Sequence, residues 1–255
     1  MTARVDLNAD LGESFGAWRM GDDEALLEHV SSANVACGFH AGDPQVIDRT
    51  VALAVRAGVA VGAHPGHHDL RGFGRREIAA LPAEVEADVL YQAGALRAFA
   101  RSHGTRLAHV KPHGALYNQA ARDERLARAI ARAVARLGDD VALVGLAGSE
   151  ALRAAAAAEG VRFAAEAFVD RAYDASGRLV PRSQPGALVD DPAAAAERAR
   201  RIVRDGLVTS IDGRPVELRA DTLCLHGDGP HALAIVRAVR EALERDGVRV
   251  EALAP

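Results

Sequence analysis

Short apolar runs alternate along this chain with longer amphipathic stretches, and this alternation constrains its fold more than any other sequence feature. The runs have the length of buried strands: 4–9, 33–36, 59–63, 107–110, 141–144, 161–165 and 222–225. The stretches between them repeat apolar residues at helical spacing: 22–29, 44–57, 82–102, 123–137, 149–159, 192–205 and 230–246. Seven successive β-α units predict a parallel sheet.

Polar residues follow nearly every predicted strand, which favours a closed sheet over an open one. In an open α/β sheet such residues cluster at a switch point, whereas a barrel gathers them at its C-terminal rim. We therefore expect residues 1–255 to form a single β/α-barrel domain, seven-stranded and irregular. A small hairpin is expected at 209–218, around Asp212-Gly213.

Composition excludes several classes of function. A net charge of -4 offers no broad basic field for nucleic acid or an anionic membrane. No apolar run approaches the ~18 residues of a membrane span. Two cysteines cannot build a disulfide framework, so a cytoplasmic location is expected.

The first strand places Asp6, Asn8 and Asp10 at alternate positions, so their side chains share one face. Polar groups inside a barrel are costly unless they are paired or used. We interpret Asn8 and Asp10 as site residues, with Glu13 on the following loop. The alternative is an exposed edge strand.

Histidines end the next two strands. His40 lies in a glycine-flanked turn as a candidate catalytic group or metal ligand, and His64 ends the third strand. Asp43 is a candidate for substrate binding or a helix N-cap. Arg75 could hold a carboxylate or phosphate, or belong to a solvated charged pair. Cys37 fits a buried small residue better than a nucleophile.

Lys111 is the only lysine among 31 basic residues, and it lies at the end of a strand, two residues before His113. A lysine there can bind an anion or stabilise an oxyanion. A solvated surface lysine is the alternative.

The last two strands add acidic and basic groups. Glu166 follows a strand directly, and Asp170 and Arg171 either form a structural ion pair or serve the site. His226 ends the final strand. Asp228 follows it in a glycine-rich turn, so the two could supply a base and its orienter, or metal ligands.

Together these strand ends predict hydrolysis or acyl transfer on a small polar substrate. The expected catalytic residues are Asp10, His40, His64, Lys111, Glu166 and His226; the expected substrate-binding residues are Asn8, Glu13, Asp43, Arg75, His113, Asp170, Arg171 and Asp228. His40, His64 and Asp10 form a candidate divalent-metal set, although no HExxH or CxxC motif specifies one.

Five blocks and a terminal LHGD resemble the LamB/YcsF family in order across the chain: DLNADLGESFG, NVACGFHAGD, GAHPGHHDLRGFGRR, HVKPHGALYN and EAFVDRAYDASGRLVPRSQPGA. The resemblance implies a barrel related to polysaccharide deacetylases. It also implies ATP-dependent hydrolysis of the lactam of 5-oxo-L-proline to L-glutamate, in a complex with B and C subunits.

The chain has no GxxxxGK[ST] loop, so we expect ATP to be handled partly or wholly by those partners. Two other functions remain open. A stand-alone metal-dependent deacetylase or amidohydrolase would need no ATP. A non-catalytic subunit that binds a small molecule would tolerate changes at the rim.

Overall fold

The structure is a computed structural model that describes residues 3–138, 140–227, 229 and 231–254. The strands are β1 Arg4–Leu11, β2 Ser32–Ala36, β3 Ala60–His64, β4 Leu107–Val110, β5 Ala142–Leu146, β6 Phe163–Phe168, β7 Leu207–Thr209, β8 Pro215–Glu217, β9 Thr222–Leu225 and β10 Arg249–Val250. The helices are α1 Asp23–Leu27, α2 Pro44–Ala57, α3 Pro82–Ser102, α4 Gly114–Ala120, α5 Glu124–Ala135, α6 Glu150–Ala158, α7 Pro192–Asp205 and α8 Ala232–Arg245.

Seven parallel strands in the described residues close into a barrel in the order β1-β2-β3-β4-β5-β6-β9. The closing pair is β9 with β1, in a register that sets Asp6 opposite Thr222 and Ala9 opposite Leu225. β10 extends the start of β1, and β7 with β8 forms a separate antiparallel hairpin. The carboxyl ends of all seven barrel strands therefore meet at one rim.

Local chemistry explains where helices begin and end, and α2 shows it best. Asp43 precedes the helix, and its carboxylate accepts hydrogen bonds from the backbone N–H groups of Gln45 and Val46. Pro44 occupies the first turn, where its missing N–H costs nothing. Gly58 ends the helix at φ 70°, a left-handed conformation that glycine adopts without strain.

The two faces of β1 separate an apolar layer from a polar one. Leu7 and Leu11 belong to the apolar core, which also contains Val51 of α2 and Val236 of α8. Asp6, Asn8 and Asp10 instead hydrogen-bond to side chains of the neighbouring strands inside the barrel. The apolar core thus lies between strands and helices, and the barrel interior is polar.

The structure confirms the predicted barrel and the hairpin, and the bounds of α2, α3 and α7 match the predicted helices. Two elements were not predicted. The seven-residue α4 is too short to show a periodicity, and it begins at Gly114, whose φ is 54°. The two-residue β10 depends on pairing with β1 rather than on a local pattern.

Candidate active site at the barrel rim

The deepest polar layer of the barrel is built around Asp6. Its carboxylate accepts hydrogen bonds from the hydroxyls of Ser31 at 2.6 Å, Ser32 at 2.7 Å and Thr222 at 2.6 Å. Burial raises the pKa of Asp6 despite these three donors. Asp6 therefore ties β1 to β9 and to the start of β2, which is a structural task.

The next layer is a chain of amides that leads towards the rim. Asn8 Nδ2 donates to Thr222 Oγ1 at 2.6 Å and to Glu166 Oε1 at 3.1 Å. Asn34 Nδ2 donates to Asn8 Oδ1 at 2.6 Å and to Asp10 Oδ1 at 2.9 Å. The two amides thereby fix the positions of the Glu166 and Asp10 carboxylates.

Lys111 lies between those carboxylates and is 2% exposed. Its Nζ is 2.8 Å from Asp10 Oδ1, 3.2 Å from Glu166 Oε1 and 2.9 Å from Cys224 Sγ. Burial alone would lower the pKa of Lys111, but Asp10, Cys224 and Glu166 outweigh burial and raise it well above 10.5. Lys111 is thus a permanent cation and is poorly suited to act as a base.

Asp10 is the matching anion. Burial would raise its pKa, but His64 and Lys111 beside it hold the pKa well below 3.8. A carboxylate that is so strongly stabilised is a weak proton acceptor.

His109 completes this layer from β4. Its Nε2 donates to Asn34 Oδ1 at 2.7 Å. Burial and the neighbouring Lys111 lower the pKa of His109 to about 3, so its ring is neutral. Gly62 on β3 makes room for that ring, because a Cβ at position 62 would overlap it.

A group of buried histidines and one glutamate lies beside Asp10: Glu13, His40, His64 and His113. One ligand atom from each residue lies within 4.8 Å of all the others, so the group could hold a metal ion. His64 Nε2 is 2.9 Å from His113 Nδ1, and Glu13 Oε1 is 3.7 Å from His40 Nε2.

Gly74 and Phe73, a residue with a strained backbone, pack against His40 and His113. A Cβ on Gly74 would lie 2.8 Å from both His40 and His113, so only glycine fits there. Phe73 adopts a left-handed conformation with φ 54°, which is strained for a bulky side chain. Its carbonyl accepts a hydrogen bond from His113 Nε2 at 2.9 Å. Such strain persists where the surrounding structure imposes it, often at functional sites.

His226 and Asp170 form a second acid/base pair across the rim. Asp170 Oδ2 accepts from His226 Nδ1 at 2.7 Å and from the His226 backbone N–H at 2.9 Å. The His226 ring stacks on Phe168 with centroids 5.4 Å apart. The carboxylate orients the ring and leaves Nε2 as the available nitrogen, which is the arrangement of a general base and its orienter.

A cavity of about 630 Å³ joins these parts, and it is lined by Asp10, His64, Lys111, His113, Tyr117, Phe168 and His226 together with Arg75, Arg171, Arg178 and Arg182. Arg171 is 6% exposed, and its buried Nε has no hydrogen-bond partner among the residues that the structure describes. Burial and the nearby Arg182 lower the pKa of Arg171 to about 10. Clustered guanidinium groups of this kind favour an anionic ligand.

Half of the predicted site residues line this cavity, and Glu13, His40, Glu166 and Asp170 lie against residues that do. Asp43 is an exception, because it serves as the N-cap of α2, and Asp228 lies outside the described residues. No ion pair between Asp170 and Arg171 occurs among the described residues, since Asp170 pairs with His226 and Arg171 donates to the Val180 carbonyl at 2.7 Å.

The metal candidates are also rearranged. His40 and His64 group with Glu13 and His113, and Asp10 lies beside this group, with Oδ2 3.3 Å from His64 Nε2 and Oδ1 bonded to Lys111. Cys37 is buried, as predicted, and burial raises its pKa to about 12.

The sequence analysis passed over several residues that shape the site. His67 is 4% exposed, and its Nε2 hydrogen-bonds to Gln119 Oε1 at 2.7 Å. His109 shares its strand face with Lys111, and that parity could have identified it. Phe73 and Cys224 carried no local signal, because their contacts come from distant parts of the chain.

No helix in the described parts of the chain is long and apolar enough to cross a membrane.

Comparison with known proteins agrees with this geometry. The 5-oxoprolinase A subunit from Syntrophobacter fumaroxidans is 56% identical to this chain over 250 residues, covering 98% of each chain. The lactam utilization protein of Thermus thermophilus is 55% identical, with a TM-score of 0.93, over 98% of this chain and 100% of that one.

A more distant structure shares the fold alone. The catalytic domain of a peptidoglycan N-acetylglucosamine deacetylase from Eubacterium rectale has a TM-score of 0.53 at 10% identity, covering 100% of this chain and 90% of that domain. This agrees with the deacetylase-like barrel that the sequence predicted.

The model of the LamB/YcsF family matches residues 5–255. The motifs predicted from sequence converge on one rim in the structure, and full-length relatives share more than half of their residues with it. The chain therefore belongs to the LamB/YcsF family.

Proposed function

We propose that this chain is the A subunit of an ATP-dependent 5-oxoprolinase and takes part in hydrolysing the lactam of 5-oxo-L-proline to L-glutamate. The observation that carries the proposal is a single cavity with a buried cation, an oriented histidine and a guanidinium cluster on its walls. A small cyclic amide that carries a carboxylate matches that combination. The names of the relatives support the same substrate.

Arg171 is the proposed partner of the substrate carboxylate, with Arg75 nearby at the mouth. Arg171 Nε is a buried donor without an acceptor in the described part of the chain, and a substrate carboxylate would supply one. Asn8 is proposed to act indirectly, because its amide is fully engaged inside the barrel.

His226 is the proposed general base, oriented by Asp170. Asp10, another of the expected catalytic residues, is held as an anion by His64 and Lys111 and is therefore a poorer base. Lys111 is proposed to stabilise the negative charge that develops when water adds to the lactam carbon. Glu166 fixes Lys111 from the opposite side.

A lactam is a stable amide, which explains the use of ATP. We propose that the partner B and C subunits handle the nucleotide and transfer its phosphoryl group to the lactam oxygen. A first water then adds to the activated carbon, and the C–N bond breaks with a proton passing to nitrogen. A second water releases phosphate, so ATP, lactam and water yield ADP, phosphate and glutamate.

We further propose a divalent metal ion as a cofactor held by the Glu13, His40, His64 and His113 group. It would supply positive charge beside the cavity wall that His64 and His113 form. The same group favours the alternative of a stand-alone metal-dependent amidohydrolase.

Glutamate release from 5-oxoproline tests these functions, using this chain alone and mixed with its candidate B and C partners, with and without ATP. We expect release only in the complete mixture with ATP. His226→Asn should abolish it, and the surface control His103→Asn should not. ATP-independent release by the chain alone would establish the amidohydrolase instead. Full turnover with His226→Asn in the complex would indicate a non-catalytic binding subunit.

A further inference from the structure

The four residues Glu13, His40, His64 and His113, which we call the histidine cluster, are oriented as metal ligands by the backbone around them. His64 Nδ1 is 2.7 Å from the carbonyl oxygen of Lys111, and His113 Nε2 is 2.9 Å from the carbonyl oxygen of Phe73. A carbonyl only accepts hydrogen bonds, so both of these nitrogens must carry hydrogen.

The remaining nitrogens, His64 Nε2 and His113 Nδ1, are 2.9 Å apart, and His64 Nε2 also lies 3.3 Å from Asp10 Oδ2. Ligating histidines generally donate their other ring N–H to a carbonyl or a carboxylate, which is the arrangement at His64 and His113.

The other two members face the same point. His40 is fully buried and neither of its ring nitrogens has a hydrogen-bond partner in the described residues. Its Nε2 is 3.7 Å from Glu13 Oε1, and that oxygen is 3.8 Å from His113 Nδ1. Ligand atoms around a tetrahedral ion with bonds of ~2.0–2.1 Å are about 3.3 Å apart. The observed distances bracket that value.

From these observations we infer that the histidine cluster binds one zinc-class divalent ion through His40 Nε2, His64 Nε2, His113 Nδ1 and Glu13 Oε1. Three imidazoles and one carboxylate suit zinc or cobalt, whereas magnesium and calcium prefer oxygen ligands. Phe73 and Lys111 act as positioning residues through their carbonyls. The inference deepens the metal part of the proposed function, and its test does not depend on lactam hydrolysis.

Cobalt(II) is the probe, because its visible absorption reports the ligand geometry. The full-length chain is stripped with a chelator and titrated with Co²⁺, and Zn²⁺ and Mg²⁺ are then added as competitors. We expect one equivalent of Co²⁺ with four-coordinate absorption bands. Zn²⁺ should displace it at stoichiometric levels, and Mg²⁺ in large excess should not.

The variants are His113→Asn and the nearly isosteric Glu13→Gln, which keeps the site assessable if the histidine variant fails to fold. Removing a ligand should weaken Co²⁺ binding at least ~100-fold, since even outer partners of ligands contribute about 10–100-fold. His67→Asn is the matched control, because His67 is buried but bonds to Gln119 outside the cluster.

The inference is overturned if the folded wild-type chain binds no Co²⁺, which would leave a shared proton between His64 and His113. It is equally overturned if Glu13→Gln and the control bind alike. Co²⁺ binding by the wild-type chain would support the metal site even if no mixture with partner subunits hydrolysed 5-oxoproline.

Discussion

Replacing Lys111 with methionine tests the buried charge network at its centre. Methionine keeps the unbranched shape of the lysine stem but removes the ammonium that lies 2.8 Å from Asp10 and 3.2 Å from Glu166. The carboxylates, at most 5% exposed, would then face each other without a cation. Removing one partner of a buried ion pair typically costs about 3–5 kcal/mol. We expect Lys111→Met to lose a similar amount of unfolding free energy at neutral pH.

Urea denaturation followed by circular dichroism measures this loss directly. For a chain of this size about 1 kcal/mol shifts the melting temperature by ~2–4 °C, so the expected fall is roughly 6–20 °C. Arg204→Met is the control, because Arg204 forms a solvent-exposed pair with Asp205. Its melting temperature should stay at the wild-type value.

The double variant Lys111→Met with Asp10→Asn distinguishes two effects: the lost attraction between Lys111 and Asp10, and the cost of leaving the Asp10 carboxylate buried without a cation. Asparagine keeps an oxygen that can accept from Asn34 but carries no charge. The double variant should therefore be more stable than Lys111→Met alone, and its loss of stability should be smaller than the sum of the two single losses by a coupling energy of about 0.5–3 kcal/mol. A single-variant cost below ~1 kcal/mol, or a double variant less stable than the single one, would refute this account.

Three further changes follow from the same geometry. Gly62→Ala should lower the melting temperature sharply, because its methyl group would overlap the His109 ring, and a wild-type melting temperature would contradict that packing. Asp170→Asn should lower kcat in the assembled complex while leaving KM near its wild-type value, because it misorients His226; a change in KM alone would contradict an orienting role. Burial acts to raise the pKa of Asp170, but His226 outweighs burial and lowers the pKa below 3.8. The pair therefore stabilises the fold above pH 3.8, and this stability is lost as the pH falls through the pKa of Asp170 in the folded state. Urea curves of wild type and Asp170→Asn should then converge in acid. Arg171→Lys should raise KM for 5-oxoproline at least about tenfold by removing planar two-point recognition of a carboxylate, whereas an unchanged KM would place the carboxylate elsewhere.

Much of the fold could be predicted from local pattern, because strand and helix periodicities are properties of neighbouring residues. The alternation of Asp6, Asn8 and Asp10 with apolar residues identified the inward face of β1, and the structure places all three side chains inside the barrel. The polar residues that follow nearly every strand predicted a closed barrel, and β9 pairs with β1. These patterns depend on residues that are close in sequence, and the folded chain shows the structure that they predict.

The partners of each site residue could not be predicted in this way. The sequence left open whether Asp170 pairs with Arg171 or serves the site, and the structure shows that it bonds to His226, which is 56 positions away in the chain. Strand register decides which side chains meet across the rim, and a one-residue slip would reverse the faces of a strand.

The sequence by itself therefore determined the barrel, the strand-end positions of the polar residues and the single lysine among them. Only the tertiary structure decided that Lys111 is a permanently charged centre and that Glu13 and His113 join His40 and His64. The physical reason is that periodicity is local, whereas burial, charge pairing and ligand geometry depend on atoms that only the closed barrel brings together.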